Sequence, residues 1–165
     1  MLNSQDLTAF INEQTIAAKI VPLTMETLTV PSAAAALGIS TDQIVKSILF
    51  LLNGEPLLVI ANGTARIDYK KLATYVNLSR RRIKLATAEQ VLAITGFVVG
   101  SVPPFGHKRP LRTIVETAVY NKTTIYGGGG ESHALLRVDT IELKRVVGMK
   151  TAVLQKQATE QQTTL

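Results

Sequence analysis

Few residues in this chain join a reactive group to an unusual setting, and Lys46 is the first of them. It lies within Gln43-Ile44-Val45-Lys46-Ser47-Ile48-Leu49-Phe50-Leu51-Leu52, a run whose pattern predicts a strand. In that strand Lys46 shares a face with Ile44 and Ile48, whereas Val45, Ser47 and Leu49 share the other. An ammonium among aliphatic neighbours is costly unless it snorkels to water or meets an anion. Two readings stay open: an edge-strand lysine that blocks sheet association, or a cleft lysine that grips a phosphate or carboxylate.

The second feature is Gly100-Ser101-Val102-Pro103-Pro104-Phe105-Gly106-His107, directly after the apolar Phe97-Val98-Val99. Prolines fix φ and remove N–H donors, and glycines permit a close approach by another molecule. Such a segment is either a rigid turn or the backbone wall of a small-ligand site, formed by Gly100 to Gly106. His107, just outside it, reads as a loop residue rather than a catalyst. His133 follows Gly127-Gly128-Gly129-Gly130-Glu131-Ser132 and precedes an apolar strand. It is either a ligand contact at a strand mouth or a solvated loop histidine. The glycines lack the Lys-Ser/Thr of a P-loop and the following helix of a dinucleotide fingerprint. No Ser-His-Asp spacing can be argued.

Basic residues form the third feature. The chain carries a formal net charge of +6, and its cations cluster as Lys70-Lys71, Arg80-Arg81-Arg82 with Lys84, and Lys108-Arg109 with Arg112. A polyanion such as nucleic acid fits that distribution, and so does a basic surface kept for solubility. Without cysteine there is neither a disulfide framework nor a thiol nucleophile, and two histidines give little basis for a zinc site. No cofactor or metal is expected. The N-terminus lacks a basic signal-peptide region, and no apolar run reaches the ~20 residues of a membrane helix. A soluble cytoplasmic protein is the expectation.

The elements that must position these groups can be read in order. Asn3 or Ser4 caps a helix bearing Leu7, Phe10 and Ile11; residues 17–23 form a strand interrupted by Pro22. Pro31-Ser32 opens an alanine-rich helix that Gly38 closes. The Lys46 strand turns at Asn53-Gly54 into a second apolar strand, 56–61. Asp68 caps a helix to about Tyr75, residues 82–85 give a short strand, and Thr87 with Gln90 makes a capping box for a helix ending near Gly96. Strands follow at 111–118, 123–126 and 134–138, with Gly127–Gly130 as a flexible or tightly bent loop. Asp139 with Glu142 predicts another capping box for a helix closed by Gly148, and 151–154 a last strand. At 165 residues with an aliphatic core and no interior linker, one α+β domain spans 1–155. It is expected to hold a mixed, barrel-like curled sheet with surrounding helices, and residues 156–165 to be a disordered tail.

Taken together, three segments resemble the YbaK-like aminoacyl-tRNA deacylases. They are Gln43-Ile44-Val45-Lys46-Ser47 after an alanine-rich helix, the Gly100-x-x-x-Pro104-Phe105-Gly106-His107 loop, and Gly128-Gly129-Gly130-x-x-x-Ala134-Leu135-Leu136-Arg137. The resemblance runs from about Met25 to Gly148. The same domain occurs inserted in many bacterial prolyl-tRNA synthetases and as single-domain relatives. It implies hydrolysis of the ester between a wrong amino acid and tRNA, here in trans on tRNA for proline carrying a small amino acid. A synthetase partner is also implied. Lys46 would hold the phosphate-bearing 3′ end. Gly100 would act through its backbone, and Ser101, Val102, Pro103, Pro104, Phe105, Gly106 and Gly129 would line the pocket. His133 matches a pocket-shaping histidine of some relatives, although many single-domain relatives carry Asn there. Arg80, Arg81, Arg82, Lys84, Lys108 and Arg109 would meet the tRNA. The alternative is a non-catalytic module that binds tRNA or a nucleotide.

Overall fold

The hairpin that carries Lys46 is a wall with core on both sides. The computed structural model of the chain describes residues 1–24 and 29–157. In it β2 (Val45–Leu52) and β3 (Glu55–Asn62) pair antiparallel through the Asn53-Gly54 turn. Val45, Leu49, Leu58 and Ile60 face one apolar cluster; Phe50, Leu52, Leu57, Val59 and Ala61 face the other. Burial on both faces is why these strands read as nearly continuous apolar runs.

The hairpin sits in a five-stranded mixed sheet of order β4-β2-β3-β5-β8, with β4 at Ile83–Leu85, β5 at Arg112–Glu116 and β8 at Thr151–Ala152. The β3–β5 and β5–β8 pairs are parallel, and the β4–β2 and β2–β3 pairs antiparallel. A second, antiparallel sheet of order β1-β7-β6 contains β1 (Ala18–Pro22), β6 (Thr124–Gly128) and β7 (Ala134–Asp139). One parallel bridge, Ile44 to Tyr126, joins the two sheets at the start of β2.

Five helices among the described residues surround this frame: α1 (Ser4–Glu13), α2 (Val30–Leu37), α3 (Tyr69–Val76), α4 (Ala88–Thr95) and α5 (Thr140–Val147). Their local signals mostly act as the sequence dictates. Asn3 and Asp6 form a capping box, Asp68 caps α3 through Lys70 and Lys71 N–H, and Thr87 with Gln90 caps α4. Leu7, Ile11, Val91 and Leu143 carry α1, α4 and α5 onto the first cluster; Leu72 carries α3 onto the second.

Three local expectations are corrected. Gly127 and Gly128 are not loop but the end of β6, paired with Leu136 and Leu135. Asp139 accepts from the Thr124 hydroxyl at 2.6 Å and makes no side-chain cap, so the predicted box at α5 does not form. The strand expected over 111–118 stops at Glu116, whose carboxylate accepts the Ala118 N–H and starts a 3-10 turn over Thr117–Asn121. Of the expected tail, Lys156 N–H donates to the Arg66 carbonyl, and residues 158–165 lie outside the described residues, as do Met25 to Leu28.

Candidate active site at the seam of the two sheets

The Gly100 segment is fixed by its own backbone. Gly100 has φ +91°, a left-handed value that favours glycine. Ser101 N–H and Oγ–H both donate to the Val98 carbonyl, at 3.0 and 2.8 Å. Ser101 to Phe105 are buried, with Val102 and Phe105 set into the first cluster. The ring of His107 closes the segment: Nε2–H donates to the Pro103 carbonyl at 2.8 Å, and the ring meets Phe97 edge to face. Burial pushes the His107 imidazole below its ordinary value, and the bond to Pro103 opposes that shift.

The four glycines receive this segment. Gly130 N–H donates to the Ser101 carbonyl at 3.0 Å. A Cβ on Gly128 would lie 2.3 Å from the Val102 carbonyl oxygen, and one on Gly127 would lie 3.1 Å from Pro104 Cδ. Gly129 is buried against the backbone of Ala134 and Leu135. These are contact glycines: backbone fills the side-chain space at Gly128 and Gly129, and the Pro104 ring crowds it at Gly127.

Lys46 reaches the same seam from β2. Ile44 bridges Tyr126 in parallel, and the next pair stays together, since a Cβ on Gly127 would be 3.5 Å from Val45 Cγ2. One further step along each strand is Lys46 on β2 and Gly128 on β6. β4 pairs with β2 only at Phe50–Leu52, so the edge beside Lys46 is left to this seam. Opposite Lys46 on β3 stands the small Ala61. The half-buried side chain runs along that face, and Nζ donates to the Ala65 carbonyl at 2.5 Å. Burial, then the charge of Arg66, holds the amine below its ordinary value. Ser47 turns to the Val45 side, where its Oγ is buried without a hydrogen-bond partner. Nothing in its sequence setting singled it out.

The remaining candidates are spread more widely. His133 is exposed at the start of β7; its Nδ1 lies 3.0 Å from Ser132 Oγ, and its carbonyl accepts the Leu23 N–H. It shares the outer face of β7 with Leu135, which packs with Ile44 under α2. Arg80 to Arg82 flank the hairpin tip at the far end of β2, about 20 Å from Lys46 at the rise of a strand. Arg80 stacks on Tyr69 at 3.7 Å and donates to the Ile83 carbonyl, and Arg82 donates to Asn53. Arg81, Lys84, Lys108 and Arg109 are exposed. Among the described residues no three His, Asp or Glu side chains gather as a metal site. No helix among them is long and apolar enough to cross a membrane.

This fold is that of an editing domain. Residues 24–146 match the model of the aminoacyl-tRNA editing domain, and the chain belongs to that family. A proline–tRNA ligase of Nitratidesulfovibrio vulgaris strain DP4 is 32% identical over 109 residues, covering 66% of this chain and 19% of the ligase. The chain thus spans about a fifth of the length of that relative. The protein YwhH of Bacillus subtilis is 28% identical over 116 residues, 70% of this chain and 72% of YwhH. A solved structure described as a candidate trans-editing enzyme for prolyl tRNA synthetase is 30% identical, with a TM-score of 0.86 over 93% of this chain and 97% of that one. The family resemblance drawn from Lys46, the Gly100 segment and the glycine run therefore holds.

Proposed function

We propose that this chain is a trans-editing deacylase, hydrolysing the ester of a mischarged aminoacyl-tRNA, with tRNA for proline carrying a small amino acid as substrate. The observation that carries the reading is the backbone of Ser101 and Val102 locked against Gly128, one strand away from Lys46. An aminoacyl ester is already activated, so positioning and oriented backbone dipoles supply much of the needed acceleration. Water adds to the ester carbonyl, the tetrahedral oxyanion collapses, and the ribose oxygen leaves and takes a proton. The substrate's own ribose hydroxyl assists, which suits a chain without a cysteine or a triad. Gly100 to Gly106 and Gly129 line the aminoacyl pocket with backbone, His133 borders it, and Lys46 holds the phosphate of the 3′ end.

Selectivity in this reading is by size: a pocket walled by Pro103, Pro104 and Phe105 admits a small side chain and excludes larger ones. Arg81, Arg82, Lys84, Lys108 and Arg109 then give salt-dependent contact with the tRNA body, with Arg80 committed mainly to Tyr69. We read residues 1–155 as one cytoplasmic unit whose two sheets curl toward a barrel along the Ile44–Tyr126 bridge. A synthetase is its partner in trans.

The test is deacylation of tRNA carrying Ala, Cys, Ser, Thr or Pro by the wild type and by Lys46→Ala. Release of one small amino acid, lost in the variant and absent for Pro, is the expected outcome. Binding of tRNA with no release from any of the five would instead make this a non-catalytic tRNA-binding module.

A further inference from the structure

The segment that receives the Lys46 side chain presents a second cation. Residues 66–68 run beside 154–156: Lys156 N–H donates to the Arg66 carbonyl at 2.8 Å, Ile67 bridges Gln155, and Asp68 N–H donates to the Leu154 carbonyl at 2.7 Å. Ile67 is buried in the second cluster, so the side chains of Arg66 and Asp68 leave on the opposite side, and Arg66 is exposed. The strap is anchored from behind by Glu116, whose buried carboxylate accepts the N–H groups of Leu154 and Gln155 at 2.5 and 2.9 Å. The Gln155 side chain in turn accepts the Asn62 N–H at the end of β3. Arg66 therefore stands on backbone tied to both the sheet and the strap.

Lys46 Nζ bonds to the carbonyl of Ala65, one residue before Arg66, and the Arg66 charge, second to burial, helps hold the amine below its ordinary value. Asp68, the nearest acid in the sequence, is occupied by the N–H groups of Lys70 and Lys71. Among the described residues no carboxylate pairs with either cation, and two cations gathered on a rigid surface form a site for an anion. The lysine keeps two further N–H donors, and a guanidinium adds a planar fork that matches two oxygens of one phosphate.

We propose that Arg66 is a second ligand, beside Lys46, for a phosphodiester of the RNA 3′ end. The inference rests on the deacylase reading for the identity of the anion; the two-cation geometry is independent of it. Lys46 alone is a point charge that cannot orient a phosphate. Paired with the Arg66 fork it fixes the direction in which the terminal nucleoside enters the seam.

The experiment measures binding of the trinucleotide CpCpA and of its analogue with a neutral methylphosphonate at the last linkage, by NMR titration at low salt. The wild type is expected to bind the charged trinucleotide at least about tenfold more tightly than the neutral one. Arg66→Ala is expected to lose that tenfold for the charged ligand and nothing for the neutral one, and Arg66→Lys to keep part of it. Equal affinity of the wild type for both, no measurable binding of either, or an equal loss for both in Arg66→Ala overturns the proposal. Thermal unfolding of Arg66→Ala is expected to match the wild type, which separates ligand loss from misfolding. Phosphate discrimination without ester hydrolysis would sink the deacylase reading and leave this site standing; hydrolysis without discrimination would do the reverse.

Discussion

Gly128 and Val102 approach so closely that a Cβ on Gly128 would sit 2.3 Å from the Val102 carbonyl oxygen and 2.7 Å from two backbone atoms of Ser101. Every atom it would meet is main chain, so nothing can rotate aside and the segment itself must move. Gly128→Ala is therefore expected to displace Ser101-Val102 and reduce deacylation by a hundredfold or more, since a misplacement of about 1 Å is enough for that. Gly100→Ala is the contrast. Its Cβ would meet nothing within 4 Å, but φ +91° strains any side chain, at a cost of about 1–2 kcal/mol. Measuring kcat and Tm for both separates the two effects. Comparable activity of Gly128→Ala and wild type would refute the close-approach argument.

Lys46→Met is expected to be inactive and no less stable. The amine is held below its ordinary value by burial first and Arg66 second, so the folded state binds its proton less readily than the unfolded chain. Stability from this group consequently rises with pH as the window between the lowered and the ordinary lysine value is crossed. At neutral pH the charged amine is a burden, relieved by a methionine of similar length. Denaturant unfolding at pH 7 and pH 10 checks this. The wild type should gain on Lys46→Met across that interval, and a variant clearly less stable at pH 7 would contradict the assignment.

Glu142 gives a second pH signature with the opposite origin. The Arg145 guanidinium, then the Ala17 N–H, lowers its carboxyl to about 2. Its folded value lies below its ordinary value of 4.5, so the stabilisation is complete above about pH 4.5 and disappears as pH falls toward 2. Glu142→Gln should flatten the stability profile over that interval while leaving it unchanged in shape above pH 5. Acid unfolding curves of the two proteins, followed by circular dichroism, decide the matter.

What the sequence made legible were features whose cause is local or periodic. The Lys46 strand and its Asn53-Gly54 turn, the caps at Asn3, Asp68 and Thr87, and the stop at Gly38 all act within a few residues. Gly127 and Gly128, but not Gly129 and Gly130, depart from the loop expectation, because their reason is the distant segment 101–104, which composition cannot reveal. Asp139 and Glu142 have capping-box spacing, yet their partners are Thr124, 15 residues away, and Ala17, 125 away. Tertiary partners won over the local motif. Arg80 reads as one of three equal cations until its stacking on Tyr69 is seen. Glu116 and Arg66 gave no warning at all, since a lone acid ending an apolar strand and a lone arginine in a turn are common.

His107 carries the last prediction, because its ring ties the end of the Gly100 segment back to Pro103 and packs on Phe97. It donates to the buried Pro103 carbonyl, and that acceptor loses its partner when the ring is removed. His107→Leu should cost about 1–3 kcal/mol for the unsatisfied carbonyl. His107→Gln, which retains an N–H, should recover part of it. Burial keeps the imidazole below its ordinary value, so the unfolded chain takes up a proton where the folded one does not. The wild type should therefore lose stability as pH falls below about 6.5, the ordinary histidine value. His107→Gln should show less of that loss. In the proposed reading the segment meets the reacting aminoacyl group rather than the tRNA body, so the kinetic effect should fall on kcat more than KM. A raised KM with unchanged kcat would place His107 outside the site's support.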